Sequence, residues 1–317
     1  MSTTPIKTRV RKLSMKDLAD SPADFIVELG KGLRDCGFVV LRDHGIPKSH
    51  LEEAYKHAEA LFALPLETKL QYDVGSGGQR GYTAFGKEKA AGRSVADLKE
   101  FWHIGPDLEQ MPEQHRQGLP NQWPAEIPEF KACFESLYVQ LESLGRMILH
   151  AIGEGLGNYG ALFQEMATHG NSICRILHYP PIENAEAQAS EAGEVSMRAA
   201  PHADINLLTL LVGASDSGLQ LFDKSGAWVP VESSADEIVV DTGDMMARLT
   251  NNRIPSTVHR VVNESTGGGA RYSMPFFLHP RDEVSLACLP ECKDGDELPE
   301  ITAGAFLEQR LRENGLI

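Results

Sequence analysis

The feature that most constrains this chain is a change of period near Ser172. Upstream, apolar residues recur every three or four positions, the spacing of a helix face. Downstream they gather in short β-branched or leucine-rich runs at 173–178, 206–212, 219–222, 228–231, 237–240, 258–262 and 272–277. Turn signals separate the runs: Asp216-Ser217-Gly218, Lys224-Ser225-Gly226, Thr242-Gly243-Asp244, Asn251-Asn252 and Gly267-Gly268-Gly269. Glycine, asparagine and aspartate break strands because they accept backbone conformations that other residues resist. Many short strands behind a helical half predict an α+β protein with a double-stranded β-helix, or jelly-roll, core.

The helical half carries its own signals. Ser21-Pro22-Ala23-Asp24 is a helix start, with a capping serine, proline at the first position and an acid in the first turn. Phe25, Leu29 and Leu33 follow at helical spacing, and Gly37 fits the C-terminal cap. His44-Gly45 forms a turn in which His44 is structural. Pro47 opens a second helix to about residue 63, on which His50 and His57 are expected to be solvated. Residues 75–78, Gly-Ser-Gly-Gly, form a loop. A long helix is predicted over 128–156, with Phe134, Leu137, Leu141, Leu144, Ile148 and Ile152 as the stripe that packs under the barrel. A last helix is predicted over 302–314. The expected divisions are an N-terminal region over 1–120, linker and long helix over 121–170, the jelly roll over 171–285, and a tail over 286–317.

Polar residues at the strand edges carry the chemistry. His202-Ala203-Asp204 places an imidazole and a carboxylate on one strand face, because residues two apart point the same way. His259, with 54 residues between it and Asp204, can supply a second imidazole. Two histidines and one carboxylate on one side of a metal leave other positions open, which suits non-haem Fe(II) working with O2. Arg271 and Ser273 share a face, twelve residues beyond His259, and a guanidinium beside a hydroxyl is a carboxylate receptor. The strands carrying His259 and Arg271 are expected to form a hairpin through the glycine triplet. The competing assignments are a metal-binding jelly-roll protein that is not an oxygenase and a zinc hydrolase using the same three residues, but Arg271 and Ser273 offer a hydrolase no general base.

With these residues in view, the chain resembles the Fe(II)- and 2-oxoglutarate-dependent dioxygenases of the isopenicillin N synthase-like family. CGFVVLRDHGIP, RGYTAFG, DLKEFWHIG, LHYPP, GLQLF and GAWVPV match in order, over about residues 13–284. The resemblance implies His202, Asp204 and His259 as Fe(II) ligands, and 2-oxoglutarate chelating the metal with its far carboxylate on Arg271 and Ser273. It implies that Tyr179 touches the co-substrate, and that Tyr82, Trp102 and His103 stand near the substrate mouth. The chain departs from the pattern at Leu177, where the family often has asparagine, which leaves open a relative's mode of action without 2-oxoglutarate. His178 points to the opposite strand face from Tyr179. His279 has the parity of Arg271, but a surface position at the strand end is the simpler expectation. Met245 and Met246 are expected in the core, and Arg248 and Asn252 at the barrel rim.

A net charge of −15, spread along the chain, argues against nucleic acid or an anionic membrane as partner. It leaves room for a small-molecule substrate in a cationic pocket. No apolar run approaches a membrane span, and MSTTPIKTRVRKLS has no apolar core of a signal peptide. Cys36, Cys133, Cys174, Cys288 and Cys292 are odd in number and irregular in spacing, as for free thiols in a cytoplasm.

Overall fold

The computed structural model describes residues 9–75, 79–87, 97–116, 118–181, 197–213, 217–262, 269–295 and 298–313. The turn positions 76–78, 216, 267 and 268 and the predicted helix end Asn314 lie outside these.

Strand β1 (Arg11–Ser14) leads into α1 (Met15–Asp20), where the Ser14 hydroxyl accepts from the Lys16 N–H. Helix α2 (Pro22–Cys36) starts on Ser21-Pro22 as predicted, although the Ser21 side chain makes no capping bond. Phe25, Leu29 and Leu33 are buried, and the helix ends on Gly37 at φ 72°. A Cβ on Gly37 would lie 2.6 Å from Thr257 Oγ1 and 2.9 Å from Pro255 O, so packing and backbone both require glycine there. Then come β2 (Phe38–Arg42), α3 (Lys48–Ala63), α4 (Leu66–Leu70), β3 (Gly81–Thr83) and β4 (Glu100–Ile104). The long helix is α5 (Phe130–Gly157), and α6 (Gly160–Ala167) folds back on it. The barrel half holds β5 (Ile173–Tyr179), β6 (Ala199–His202), β7 (Leu208–Val212), β8 (Leu219–Phe222), β9 (Trp228–Pro230) and β10 (Ile238–Thr242). Helix α7 (Asp244–Leu249), β11 (His259–Val261), β12 (Arg271–Leu278) and α8 (Ala303–Glu313) complete it.

The strands form two sheets, β1-β2-β10-β7-β12-β5-β4-β3 and β6-β11-β8-β9. β11 and β12 lie in different sheets, so the predicted hairpin between them does not form. Chain-adjacent strands can cross from one sheet to the other in a jelly roll, and turn residues alone do not reveal that.

Alternation along the strands gives the large sheet two apolar faces. One packs on the helices: Val39, Leu41, Leu210, Trp102, Ile176 and Phe276 join the buried stripes of α2, α3 and α5. Each large side chain buried there contributes about 1.5–3 kcal/mol. Gly145 lets α5 approach closely, since a Cβ would sit 2.9 Å from Leu278 Cδ2 and 3.2 Å from Leu210 Cδ1. The other face meets the small sheet, with Phe38, Val40 and Val239 against Leu219, Leu221, Val229 and Val261.

His44 holds its turn as expected: it lies 3.0 Å from Asp236 O and accepts from the Ile46 N–H. His50 and His57 are not solvated as expected. His50 Nε2 lies 3.0 Å from Cys133 O, and His57 packs edge-on against Phe130, because α3 lies against α5. Met245 and Met246 are buried.

A buried polar cluster ties the helix side to the sheet edge. Lys69 Nζ lies 2.8 Å from Glu100 Oε2, the Tyr82 hydroxyl donates to the same oxygen, and His178 Nδ1 lies 2.7 Å from Glu100 Oε1. Burial pushes the Glu100 carboxyl up, but the bonds from His178, Lys69 and Tyr82 outweigh it and hold the group below its ordinary value. His178 stacks on both Phe62 and Tyr272, which also meet each other. Removing one member of a buried ion pair strands the other, at a cost of about 3–5 kcal/mol. Glu100→Ala should therefore lower stability by about that amount in urea unfolding. A loss below about 1 kcal/mol would show that the cluster is not structural.

Candidate active site

Strand pairing brings the three predicted metal ligands together. β6 ends on His202, and β11 begins on His259, its direct cross-strand partner. Their ring centroids are 4.4 Å apart. Asp204 lies just beyond β6 rather than on it, and its Oδ1 is 3.8 Å from each imidazole Nε2. One ligand atom from each residue falls within 4.8 Å of the other two.

The surroundings orient those atoms. His202 Nδ1 lies 2.7 Å from Ala200 O, and His259 Nδ1 lies 3.1 Å from Thr257 O. A carbonyl only accepts, so each Nδ1 carries the hydrogen and each Nε2 keeps its lone pair. Enclosure of the ring, then the neighbouring His259, push His202 below its ordinary value, toward the neutral form that a metal requires. The outer edge of that ring still reaches solvent, with 41% of the side chain exposed. The Phe38 ring meets His259 edge-on.

Asp204 is held from behind. The Thr209 hydroxyl donates to Oδ2, and Asn206 Nδ2 donates to Thr209 Oγ1 at 3.0 Å. Burial raises the Asp204 carboxyl, but His259, His202, the Thr209 bond and Arg175 outweigh it and lower it overall. Asp241, paired with Thr209 in register, moves the other way. Burial, then the Asp204 charge and a hydrogen bond with Asp204, hold Asp241 well above the usual carboxylate range. Of the two carboxyls, Asp241 is therefore the one that holds its proton more strongly. Two imidazole Nε2 atoms and one carboxylate oxygen converge, a donor set that fits Fe(II) with coordination positions left open.

The predicted anion receptor lies on the inner face of the large sheet. Arg271 and Ser273 are opposite Tyr179 and Leu177 in register. Arg271 is 1% exposed, and its guanidinium carbon sits 5.2 Å from the Tyr179 ring centroid. Leu177, where the related family often has asparagine, joins Phe101 and Tyr179 in a small apolar cluster.

The three predicted pocket residues divide by strand parity. Tyr82 and Trp102 do not line the barrel. Tyr82 bonds to Glu100, and Trp102 is fully buried among Tyr72 and Phe130 on the helix side. His103, one residue on, turns to the inner face, where its Nε2 accepts from Arg175 Nε. Aromatic content alone carries no parity, whereas β4 alternates strictly. Arg175, Thr209 and Asp241 are residues that sequence reasoning missed. Their signals were available: Arg175 shares the parity of Leu177 and Tyr179, and Thr209 and Asp241 are polar residues inside apolar runs.

His279 is buried rather than a surface residue. Its Nδ1 lies 3.2 Å from Phe277 O, and burial pushes its pKa down to about 4. The unfolded chain takes up that proton near 6.5 and the folded protein near 4. The unfolded state therefore binds more protons between these values, and stability falls as pH drops through the window. The His279 share is on the order of 3 kcal/mol. His279→Gln should flatten the fall between pH 6.5 and 4 in urea unfolding of the metal-free protein. An unchanged slope would show that the folded protein accepts the proton.

Family models match two stretches of the chain. The N-terminal region of the non-haem dioxygenases in morphine synthesis matches residues 10–126, and the 2OG-Fe(II) oxygenase superfamily matches residues 170–280. The chain is 31% identical over 273 residues to the 2-oxoglutarate-Fe(II) type oxidoreductase hxnY of Emericella nidulans, covering 83% of this chain and 76% of that protein. Among solved structures, a 2OG-Fe(II) oxygenase family protein from Caulobacter crescentus is 40% identical with TM-score 0.86, covering 97% of this chain and 99% of that one. A full-length Neurospora crassa protein, solved in complex with alpha-KG and thymine, is 26% identical with TM-score 0.85, covering 98% of each chain. The jelly roll, the His-Asp-His cluster and this sequence similarity agree, and the chain belongs to the 2-oxoglutarate- and Fe(II)-dependent oxygenases, as a dioxygenase.

Proposed function

We propose that this dioxygenase binds Fe(II) through His202 Nε2, Asp204 Oδ1 and His259 Nε2, anchors the far carboxylate of 2-oxoglutarate on Arg271 and Ser273, and oxidises a small molecule. The convergence of three oriented donor atoms carries this reading. Fe(II) with 2-oxoglutarate and O2 supplies the oxidising power, releasing succinate and CO2.

The chain's own residues bind, orient and exclude water. The Ala200 and Thr257 carbonyls fix both imidazole tautomers. Thr209 and Asp241 occupy Asp204 from behind and present Oδ1 forward. Arg271 offers a fork of donors that matches a carboxylate, in a setting where water competes little. The Tyr179 hydroxyl serves the same co-substrate, as the family resemblance implies. Leu177 and Phe101 give that end of the cavity an apolar wall in place of an amide contact.

The substrate is a small molecule, supported by the thymine in the Neurospora complex. Hydroxylation, desaturation and cyclisation all begin at one such site, so the pocket walls choose among them. The net charge of −15 supports a partner other than nucleic acid. Among the described residues no helix is long and apolar enough to cross a membrane, and five free thiols support a cytoplasmic setting. We divide the chain into an N-terminal dioxygenase-like region over 1–120, the linker and long helix over 121–170, the jelly-roll domain over 171–285 and the C-terminal tail and helix over 286–317.

His202→Ala and Asp204→Ala should abolish Fe(II)-dependent succinate release while leaving the circular dichroism spectrum unchanged, since the two apolar cores do not include the triad. Arg271→Ala should raise the 2-oxoglutarate concentration for half-maximal succinate release by roughly 30-fold or more, because losing the cation opposite a buried carboxylate costs about 2–5 kcal/mol. An unchanged requirement would place the carboxylate receptor elsewhere.

A further inference from the structure

Strand β6 ends on His202, yet its own sheet holds it poorly. It is an edge strand, paired within that sheet with β11 alone. The pairing changes register between His259 and Val261, so Ala200 and Pro201 together stand opposite Arg260. Proline has no N–H, so Pro201 adds no donor to the ladder. The ladder is therefore interrupted just before the metal ligand, at the residue whose carbonyl orients it. Ala200 O accepts from His202 Nδ1 at 2.7 Å.

Support comes from outside the small sheet. Asp97 and Lys99 lie in the segment that leads into β4, a strand of the large sheet. Both side chains are buried. Asp97 Oδ1 accepts from the Ala200 N–H at 3.2 Å, and Oδ2 accepts from Lys99 Nζ at 2.9 Å. Between them in sequence, the Leu98 N–H donates to Met197 O at 3.1 Å, so the segment runs beside the lead-in to β6. A carboxylate serves both donors at once, one oxygen for each. Held on one side by Lys99, Asp97 fixes Ala200 through its N–H, while the Ala200 carbonyl fixes the His202 ring. The chain of bonds thus spans the two sheets and reaches the metal ligand through the backbone.

We propose that Asp97 is a positioning residue for the metal centre: with Lys99 as its partner it sets the place of Ala200, and through Ala200 the ring of His202. The proposal rests on the triad assignment above and adds to it a residue that acts through the backbone. Removing a group that orients a metal ligand weakens metal affinity by about tenfold or more. An ion pair with a purely structural role would instead change folding stability and leave the affinity of the folded protein unaltered.

The test uses the full-length chain, stripped of metal by chelation and titrated anaerobically with Mn(II) alone, the free ion being measured by electron paramagnetic resonance. Urea unfolding of each metal-free protein is followed in parallel. Two double variants keep the net charge of the pair and differ only in the acceptor offered to Ala200. Asp97→Asn/Lys99→Met retains an oxygen for the Ala200 N–H and should bind Mn(II) nearly as the wild type does. Asp97→Leu/Lys99→Met lacks the acceptor and should bind about tenfold more weakly. An apolar pair of similar size commonly replaces a buried ion pair without loss of the fold. Equal affinities in the two variants would overturn the proposal, whatever their stabilities. If the leucine variant does not fold, Asp97→Asn alone replaces it. Its amide has one oxygen for two donors, so Lys99 competes with the Ala200 N–H and Mn(II) binding should be weaker than in Asp97→Asn/Lys99→Met. Equal affinity there would likewise overturn the proposal. Wild-type protein that binds no Mn(II), or a His202→Ala variant that binds it as tightly as the wild type, would instead defeat the triad assignment and the proposal with it.

Discussion

Alternation along the strands of the large sheet sends successive side chains to two environments, and the rest of the molecule depends on that division. One face is closed by α2, α3 and α5 and is apolar apart from the Glu100 cluster at its edge. The other faces the small sheet and carries Arg271, Ser273, Thr209, Asp241 and Arg175 among apolar residues. A shift of one residue in any strand would exchange these sets, placing charges against the helices and leucines beside the metal ligands. The helix-side packing therefore secures the register on which the inner-face chemistry stands. Gly145, which lets α5 approach Leu278 and Leu210, is part of that security.

The inner face also shows how an acidic protein keeps anionic ligands within reach. The net charge is −15, yet the inner face of the barrel carries the cations Arg271 and Arg175. Burial and the Asp204 charge push the Asp241 carboxyl well above the usual carboxylate range, which disfavours a second negative charge at the centre. Arg271 is sealed against Tyr179, and Arg175 is set between two aromatic rings. Local fields at a site depend on a few near, poorly solvated charges, whereas distant surface carboxylates are screened within roughly 10 Å. Overall charge thus argues about macromolecular partners and says little about the small ligand.

Much of the site was legible in the residue order. His202, Asp204, His259, Arg271 and Ser273 are distinctive by type and spacing, Tyr179 is singled out by the family resemblance, and the structure brings the first three within 4.8 Å of one another. Tyr82 and Trp102 misled because an aromatic side chain suits a core as well as a pocket, and only the pairing of β3 with β4 and of β4 with β5 shows which way each points. His279 misled for a related reason. A histidine at a strand end looks solvated until the chain that covers it is placed. Arg175 was overlooked in a strand where Tyr179 drew attention.

The sequence by itself determined the change from a helix-rich first half to a strand-rich second half, the residue types of the candidate metal ligands and the α+β jelly-roll class. These follow from local spacing and residue type, which need no partner to be read. Tertiary structure alone decided that β11 and β12 belong to different sheets, that His103 and not Trp102 faces the barrel, and that Asp241 lies against Asp204. Each of those depends on which strands pair and in what register, and that is set by long-range burial of two apolar faces at once.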